Sequence, residues 1–364
     1  MDYVDPQYRG QLELDMAQAP DMIKSIEELF DADFRAQQDN SAAAQRGGRH
    51  GVWDPALHLE ELALDGVVAD VLFPDVSQQN APPFQADAGP GAVGANHALQ
   101  AVGAWAYNRW LADFVSHAPD RLGGLALMTI HDIDAAVAQV RWAREHGLRG
   151  VLLPAGVGNL PFYHHPRYEP IWSACSDLGM PIHTHVGSAT PDYGDLPGSL
   201  TLFATESMWF SHRPFWFLIW GGVFERHPRL KMVFAEQGSD WVPELLELLD
   251  RMYHTMFRHE QKRLSVPPSE YWHRQCTVQS MFLSRREVAQ RHEIGLENMT
   301  WGSDYPHYEG SWPNSLRCLR EMLHDVSAPE IEALLSRNAA RIYGFDLERL
   351  AAVSAALPAG VADL

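Results

Sequence analysis

A chain of 364 residues with 46% hydrophobic content is long enough for one large domain or two modest ones around a sizeable core. Its 28 basic residues stand against 47 acidic ones, and a formal charge of −19 repels nucleic-acid phosphates and anionic membrane surfaces, so neither is expected as a partner. Cys175, Cys276 and Cys318 are widely spaced and show no thiolate metal motif, which fits a reduced compartment and argues against a disulfide framework. The start, MDYVDPQYRG, has no basic segment leading into an apolar one, so the cytoplasm is the expected location. The most apolar window, residues 215–224, is about half the ~20 residues needed to span a bilayer.

Residues 1–50 read as a lead-in and loop: QLEL at 11–14 is a weak strand candidate, and 36–51 is polar and Gly-rich. Seven short apolar runs then read as buried strands, at Gly66–Leu72, Leu122–Met128, Gly150–Leu153, Pro181–His185, Lys231–Glu236, Cys276–Gln279 and Met299–Ser303. Between them lie amphipathic helix candidates such as Asp132–His146, Pro166–Leu178, Asp240–His259, Arg285–His292 and Pro329–Ile342. Strand alternating with helix is the signature of parallel βαβ units, here a barrel domain over 51–345 followed by a tail, 346–364. Eight parallel strands close a barrel, so one strand is missing or atypical, and by order it belongs ahead of Gly66. An open doubly wound sheet accepts seven strands but usually carries a Gly-rich phosphate loop after its first strand; PGAVGA at 90–95 follows none.

In a parallel barrel the strand ends that lead into helices form the active face. Three strands end there in ionisable residues. PIHTHVG puts His183 and His185 two apart, on one face of their strand, as a ligand pair would be; the alternative is a core histidine satisfied by a neighbouring strand. KMVFAEQGSDW is apolar until Glu236, and a carboxylate at the end of a buried strand needs a cation, either a metal or an arginine such as Arg286, unless it faces solvent. MTWGSDYPH breaks at Gly302 and delivers Asp304 in the same relation to its strand, while Ser311 or Asn314 is better placed to cap the helix that follows. Imidazole and carboxylate ligands together suit zinc, manganese or iron; an open position makes hydroxide from water, and a nearby carboxylate accepts its proton. That set points to metal-assisted attack on a polarised carbon or metal-assisted loss of a carboxylate.

Six segments in order, WDPALHLEELALDGVVADVLFP, AYNRWLADFVSHAPDRLGGLALM, HPRYEPIWSACSDLGMPIHTH, GGVFERHPRLKMVFAEQGSDW, WGSDYPH and LLSRNAARIYGF, resemble the amidohydrolase superfamily in the branch related to aminocarboxymuconate-semialdehyde decarboxylase. The resemblance runs from about Gly51 to Phe345 and implies a distorted (β/α)8 TIM barrel with one divalent metal, zinc first, with manganese or iron as alternatives. It puts the fifth-strand ligand on His185 and the eighth-strand aspartate, ligand and proton acceptor, on Asp304. The sixth-strand histidine of the decarboxylases falls on Glu236, a departure that favours hydrolysis. The family's first strand, with two more ligands, has no counterpart in the sequence. An upstream start is the simplest expectation; completion by a partner segment and loss of the site are the others. His183 is a candidate to replace part of the lost ligand set.

The segment 206–222 gathers Trp209, Phe210, Phe215, Trp216, Phe217 and Trp220 around His212 and Arg213, a composition typical of a core helix or a subunit contact. In family terms its early part faces the pocket, which makes His212, Arg213 and, beyond Asp304, His307 candidate substrate contacts; relatives of this kind are often homodimers. His164 and His165 read as loop residues on the active face. The reading that follows is a metal-dependent hydrolase acting on a small cyclic or aromatic compound, with Asp304 and Glu236 catalytic and His185, Asp304, Glu236 and His183 as metal ligands. A nonoxidative decarboxylase of an aromatic or muconate-like acid and a metal-free binding or scaffold protein are the alternatives.

Overall fold

Each of the seven apolar runs forms a strand of one parallel sheet, with hydrogen-bonded neighbours in chain order: β1 (Asp70–Leu72), β2 (Leu122–Leu127), β3 (Gly150–Leu152), β4 (Ile182–His185), β5 (Met232–Ala235), β6 (Cys276–Ser280) and β7 (Met299–Trp301). The computed structural model describes residues 2–18, 51–74, 96–186, 191, 193–194, 196–281, 283–307 and 310–357. The polar stretch up to residue 50 and the PGAVGA segment lie outside them. The sheet curls into a half-barrel with helices on its outer face, and every residue of β2, β3 and β5 is buried, as continuous apolar runs require in a parallel sheet. Glycine sets the packing at two points: a Cβ on Gly124 would lie 2.7 Å from the Leu111 side chain of the helix His97–Ser116, and one on Gly150 would lie 2.6 Å from the His183 ring.

No eighth strand is present among the described residues. β1 pairs only with β2 and β7 only with β6, and the helix Pro55–Leu64 bridges the two outer strands. Buried His58 reaches Asp70 of β1 at 3.1 Å, Trp312 Nε1 donates to the Glu61 carbonyl at 2.9 Å, and the Tyr305 hydroxyl donates to the Glu61 carboxylate. The candidate strand QLEL is instead part of a helix, Arg9–Gln18. Arg109 holds the segment by the Tyr3 carbonyl, and Leu12 packs with Val4 against Ala106, so tertiary contact decides its conformation. In the expected tail, Leu347–Ser354 is a helix that buries Leu350.

Helix capping at the seam differs from the sequence expectation. Asn314 stands at the N-cap of Ser315–Leu323 without a side-chain cap bond; the Ser315 amide donates instead to Asp65 Oδ1 at 2.8 Å, and its hydroxyl to the same carboxylate. Burial pushes Asp65 up from 3.8 to about 6, against the lowering effect of the Ser315 bonds. The folded chain therefore holds this proton more tightly than the unfolded chain. That contribution to stability is fully present below pH 3.8 and is lost as pH rises through about 6. Asp65→Asn, which keeps an acceptor for the amide, is expected to raise unfolding free energy at pH 8 by ~1–3 kcal/mol and by less at pH 5. Urea titrations at the two pH values check this; a gain independent of pH would refute it.

Candidate active site

At the carboxyl ends of β4, β5 and β7 the chain delivers three ionisable residues: His185 ends β4, Glu236 follows β5 directly, and Asp304 stands three positions past β7. Glu236 has φ 58° and Asp304 φ 59°, and they are the only non-glycine residues with positive φ among the described residues. A left-handed backbone is costly for a side-chain-bearing residue, aspartate being more tolerant than glutamate, and it persists only where surrounding structure over-determines it. Here it turns each carboxylate inward as its strand stops. Gly302 makes the second turn possible, because a Cβ there would lie 1.9 Å from Gln279 Nε2. The His307 amide then donates to the Asp304 carbonyl at 2.8 Å, which brings His307 Nδ1 to 3.4 Å from Asp304 Oδ1.

One ligand atom each from Glu236, Asp304 and His307 lies within 4.8 Å of the others. His185 stands beside this group, its Nε2 at 2.7 Å from Glu236 Oε2 and its Nδ1 at 3.0 Å from the Val186 carbonyl. Burial opposes charge on the His185 ring, but the Glu236 carboxylate outweighs it and the imidazole is held above its usual value. Arg286, the alternative partner of Glu236, pairs with Asp240 at 3.5 Å. Two carboxylates held this close repel each other unless a cation lies between them, and an oxygen, oxygen, nitrogen donor set suits a divalent ion such as zinc or manganese. The residues present fit a metal.

The turn after β5 is held from several sides. Gln237 is buried and donates to the Thr184 carbonyl at 3.0 Å, and Trp241 Nε1 donates to the Gly238 carbonyl at 3.0 Å. His212, read in the sequence as a substrate contact, belongs to this support. It is buried, stacks on Trp241 at 3.8 Å and bonds the backbone of Gln237; desolvation pushes it down to about 3, so the ring is neutral at physiological pH. Arg213 lies among Phe162, Trp209, Phe210 and Phe217, 5.3–5.8 Å from their ring centres. The aromatic segment is core on one side, with Phe215 fully buried, and open on the other, with Trp209 55% exposed. His164 stacks on Phe217 and His165 caps the turn Pro166–Tyr168, the loop roles expected of them.

His183, expected among the ligands, stands apart from the group of Glu236, Asp304 and His307. It shares a face with His185 but lies one layer deeper, with Nδ1 donating to the Val151 carbonyl at 3.2 Å and Nε2 accepting from the Tyr343 hydroxyl at 3.0 Å. Burial holds it at about 3, despite backbone bonds that favour the proton, so both nitrogens of the neutral ring are used. Tyr343 ends the helix Asn338–Tyr343, and its carbonyl accepts from Arg149, the residue before β3; the ring pair thus sits at the amino-terminal ends of the strands. His307, in contrast, joins the carboxylate cluster, where the sequence reading had given it to substrate. Its i, i+3 spacing from Asp304 was the available signal.

A family model described as amidohydrolase matches residues 54–345. Gamma-resorcylate decarboxylase of Rhizobium radiobacter is 25% identical over 224 residues, which cover 55% of this chain and 64% of that protein, so the chain spans less than two thirds of the length of this relative. The 2-amino-3-carboxymuconate-6-semialdehyde decarboxylase of Dictyostelium discoideum is 27% identical over 253 residues, 66% of each chain. Among solved structures, 5-carboxyvanillate decarboxylase of Sphingomonas paucimobilis superposes with a TM-score of 0.62 at 20% identity, covering 79% of this chain and 82% of that one, a likeness of fold. No helix among the described residues is long and apolar enough to cross a membrane.

Proposed function

The chain belongs to the amidohydrolase family, and from that premise we propose that it is a metal-dependent nonoxidative decarboxylase of an aromatic or muconate-like carboxylic acid. The observation that carries this reading is the chemistry of the relatives matched over 224 and 253 residues, both named for loss of a carboxylate. It moves the reading away from the hydrolysis that Glu236, in place of a sixth-strand histidine, favours in the sequence alone. A divalent ion held by Glu236, Asp304 and His307 would supply a Lewis acid for the anionic oxygens of a substrate.

Asp304 is the group placed to deliver a proton. The bond from ring carbon to carboxyl breaks with its electron pair left on the ring, the carbon takes the proton from the Asp304 carboxyl, and carbon dioxide leaves. His307, 3.4 Å from Asp304, would hold the ion beside that carboxyl, and water returns the proton to Asp304 after carbon dioxide leaves. Glu236, paired with His185, orients the group rather than donating to the ring. Arg213, the cation flanked by four aromatic rings, is the candidate to meet the substrate carboxylate.

Incubation with 2,6-dihydroxybenzoate and related hydroxybenzoates in the presence of manganese or zinc is expected to release carbon dioxide. In deuterated water one deuterium should appear on the vacated ring carbon, and chelator should abolish both signals. Hydrolysis of cyclic amides, esters or lactones with no carbon dioxide from any of these acids would replace this reading with the hydrolase. Fewer than about 0.1 metal ions per chain after incubation with either metal would favour a binding protein instead.

A further inference from the structure

Glu287 is a buried carboxylate, 4% exposed, that no step of the proposed reaction uses, and it is placed directly behind the turn that carries Glu236. Its Oε1 accepts from the Ser239 amide at 2.8 Å, the Ser239 hydroxyl at 2.7 Å and the Ser280 hydroxyl at 2.8 Å, while Oε2 accepts from the Ser284 amide at 2.8 Å. Four donors from three segments thus meet on one side chain: the turn after β5, the end of β6, and the cap of the helix Arg285–Ala289, where Ser284 and Glu287 form a reciprocal capping box. A short helix cap needs one of these bonds. The other three reach Ser239 and Ser280, and Ser239 is three residues from the left-handed Glu236.

We propose that Glu287 is a positioning residue of the active site, clamping the Gln237–Ser239 turn to β6 and thereby fixing the backbone that aims the Glu236 carboxylate at Asp304 and His307. This rests on the reading of those three residues as the metal-binding group. Glutamine with its carbonyl at the Oε1 position would keep the three bonds to Ser239 and Ser280 and lose only the Ser284 cap bond, whereas alanine removes every acceptor of the clamp. Loss of the clamp releases the turn to relax toward ordinary backbone angles, and the ligand set loosens. Supporting residues of this kind commonly change metal affinity by about 10–100-fold.

The test is manganese binding to the full chain, followed by electron paramagnetic resonance at 20 °C, with Glu236→Gln as the reference. Glu287→Ala is expected to raise the manganese Kd about tenfold and to alter the spectrum of the bound ion, with the fold intact by circular dichroism. A folded Glu287→Ala protein with wild-type affinity and spectrum, beside a weakened Glu236→Gln protein, overturns the positioning role alone. Wild-type manganese binding by Glu236→Gln overturns the ligand reading and the positioning role together. Should Glu287→Ala fail to fold, the Ser239→Ala, Ser280→Ala double variant decides: weaker manganese binding supports the clamp, and unchanged binding refutes it.

Discussion

Replacing Asp304 by asparagine is expected to lower turnover by ~10³-fold or more while leaving the fold in place. Asparagine is among the few side chains that accept a left-handed backbone, and Asp304 has φ 59°, so the turn that holds it survives the substitution. What is lost is the carboxylate: one donor of the cluster with Glu236 and His307, and the proton carrier of the proposed reaction. Asp304→Ala adds backbone strain to the same chemical loss and should melt lower than Asp304→Asn. Kinetic constants measured beside thermal melts check both statements. An asparagine variant that keeps more than about a tenth of wild-type turnover would remove Asp304 from the chemistry.

The largest effect on stability is expected at Trp272. Its ring is fully buried, stacked on Phe234 at 5.8 Å and 21° and packed against the edges of Phe215 and Trp241 at 5.3 and 5.7 Å, and its Nε1 donates to the Ile294 carbonyl at 2.7 Å. Trp272→Ala opens a cavity among four elements and strands a buried carbonyl, a change that typically costs ~3–5 kcal/mol. Trp241 faces that cavity and also carries His212 and the Gly238 carbonyl, so the β5 turn should loosen with it. Urea unfolding measures the loss; a shift below ~1.5 kcal/mol would show that the neighbours collapse into the space.

The seven strands were legible because each is a short, continuously apolar run between helical periodicities, and a two-sided buried strand has no other way to read. His185, Glu236 and Asp304 were legible for a related reason: an ionisable residue at the end of such a run has to be explained. The left-handed backbone of Glu236 and Asp304 was not, since glutamate carries no local preference for it and the contacts that enforce it come from residues distant in the chain. The same holds for the cap of Ser315–Leu323, supplied by Asp65 from 250 positions away, and for the helix at Arg9–Gln18, which depends on Arg109. His183 and His185 could not be told apart by alternation, which gives the face and not the depth. Only Tyr343, 160 residues on, separates the two roles.

The stacked rings of His183 and Tyr343 carry a consequence for traffic. With those rings stacked away from the Glu236 and Asp304 end, the proposed reaction would take in its acid and give up its carbon dioxide through the same mouth. Entry and exit would then share one doorway, and an arene product still in residence would bar the next acid.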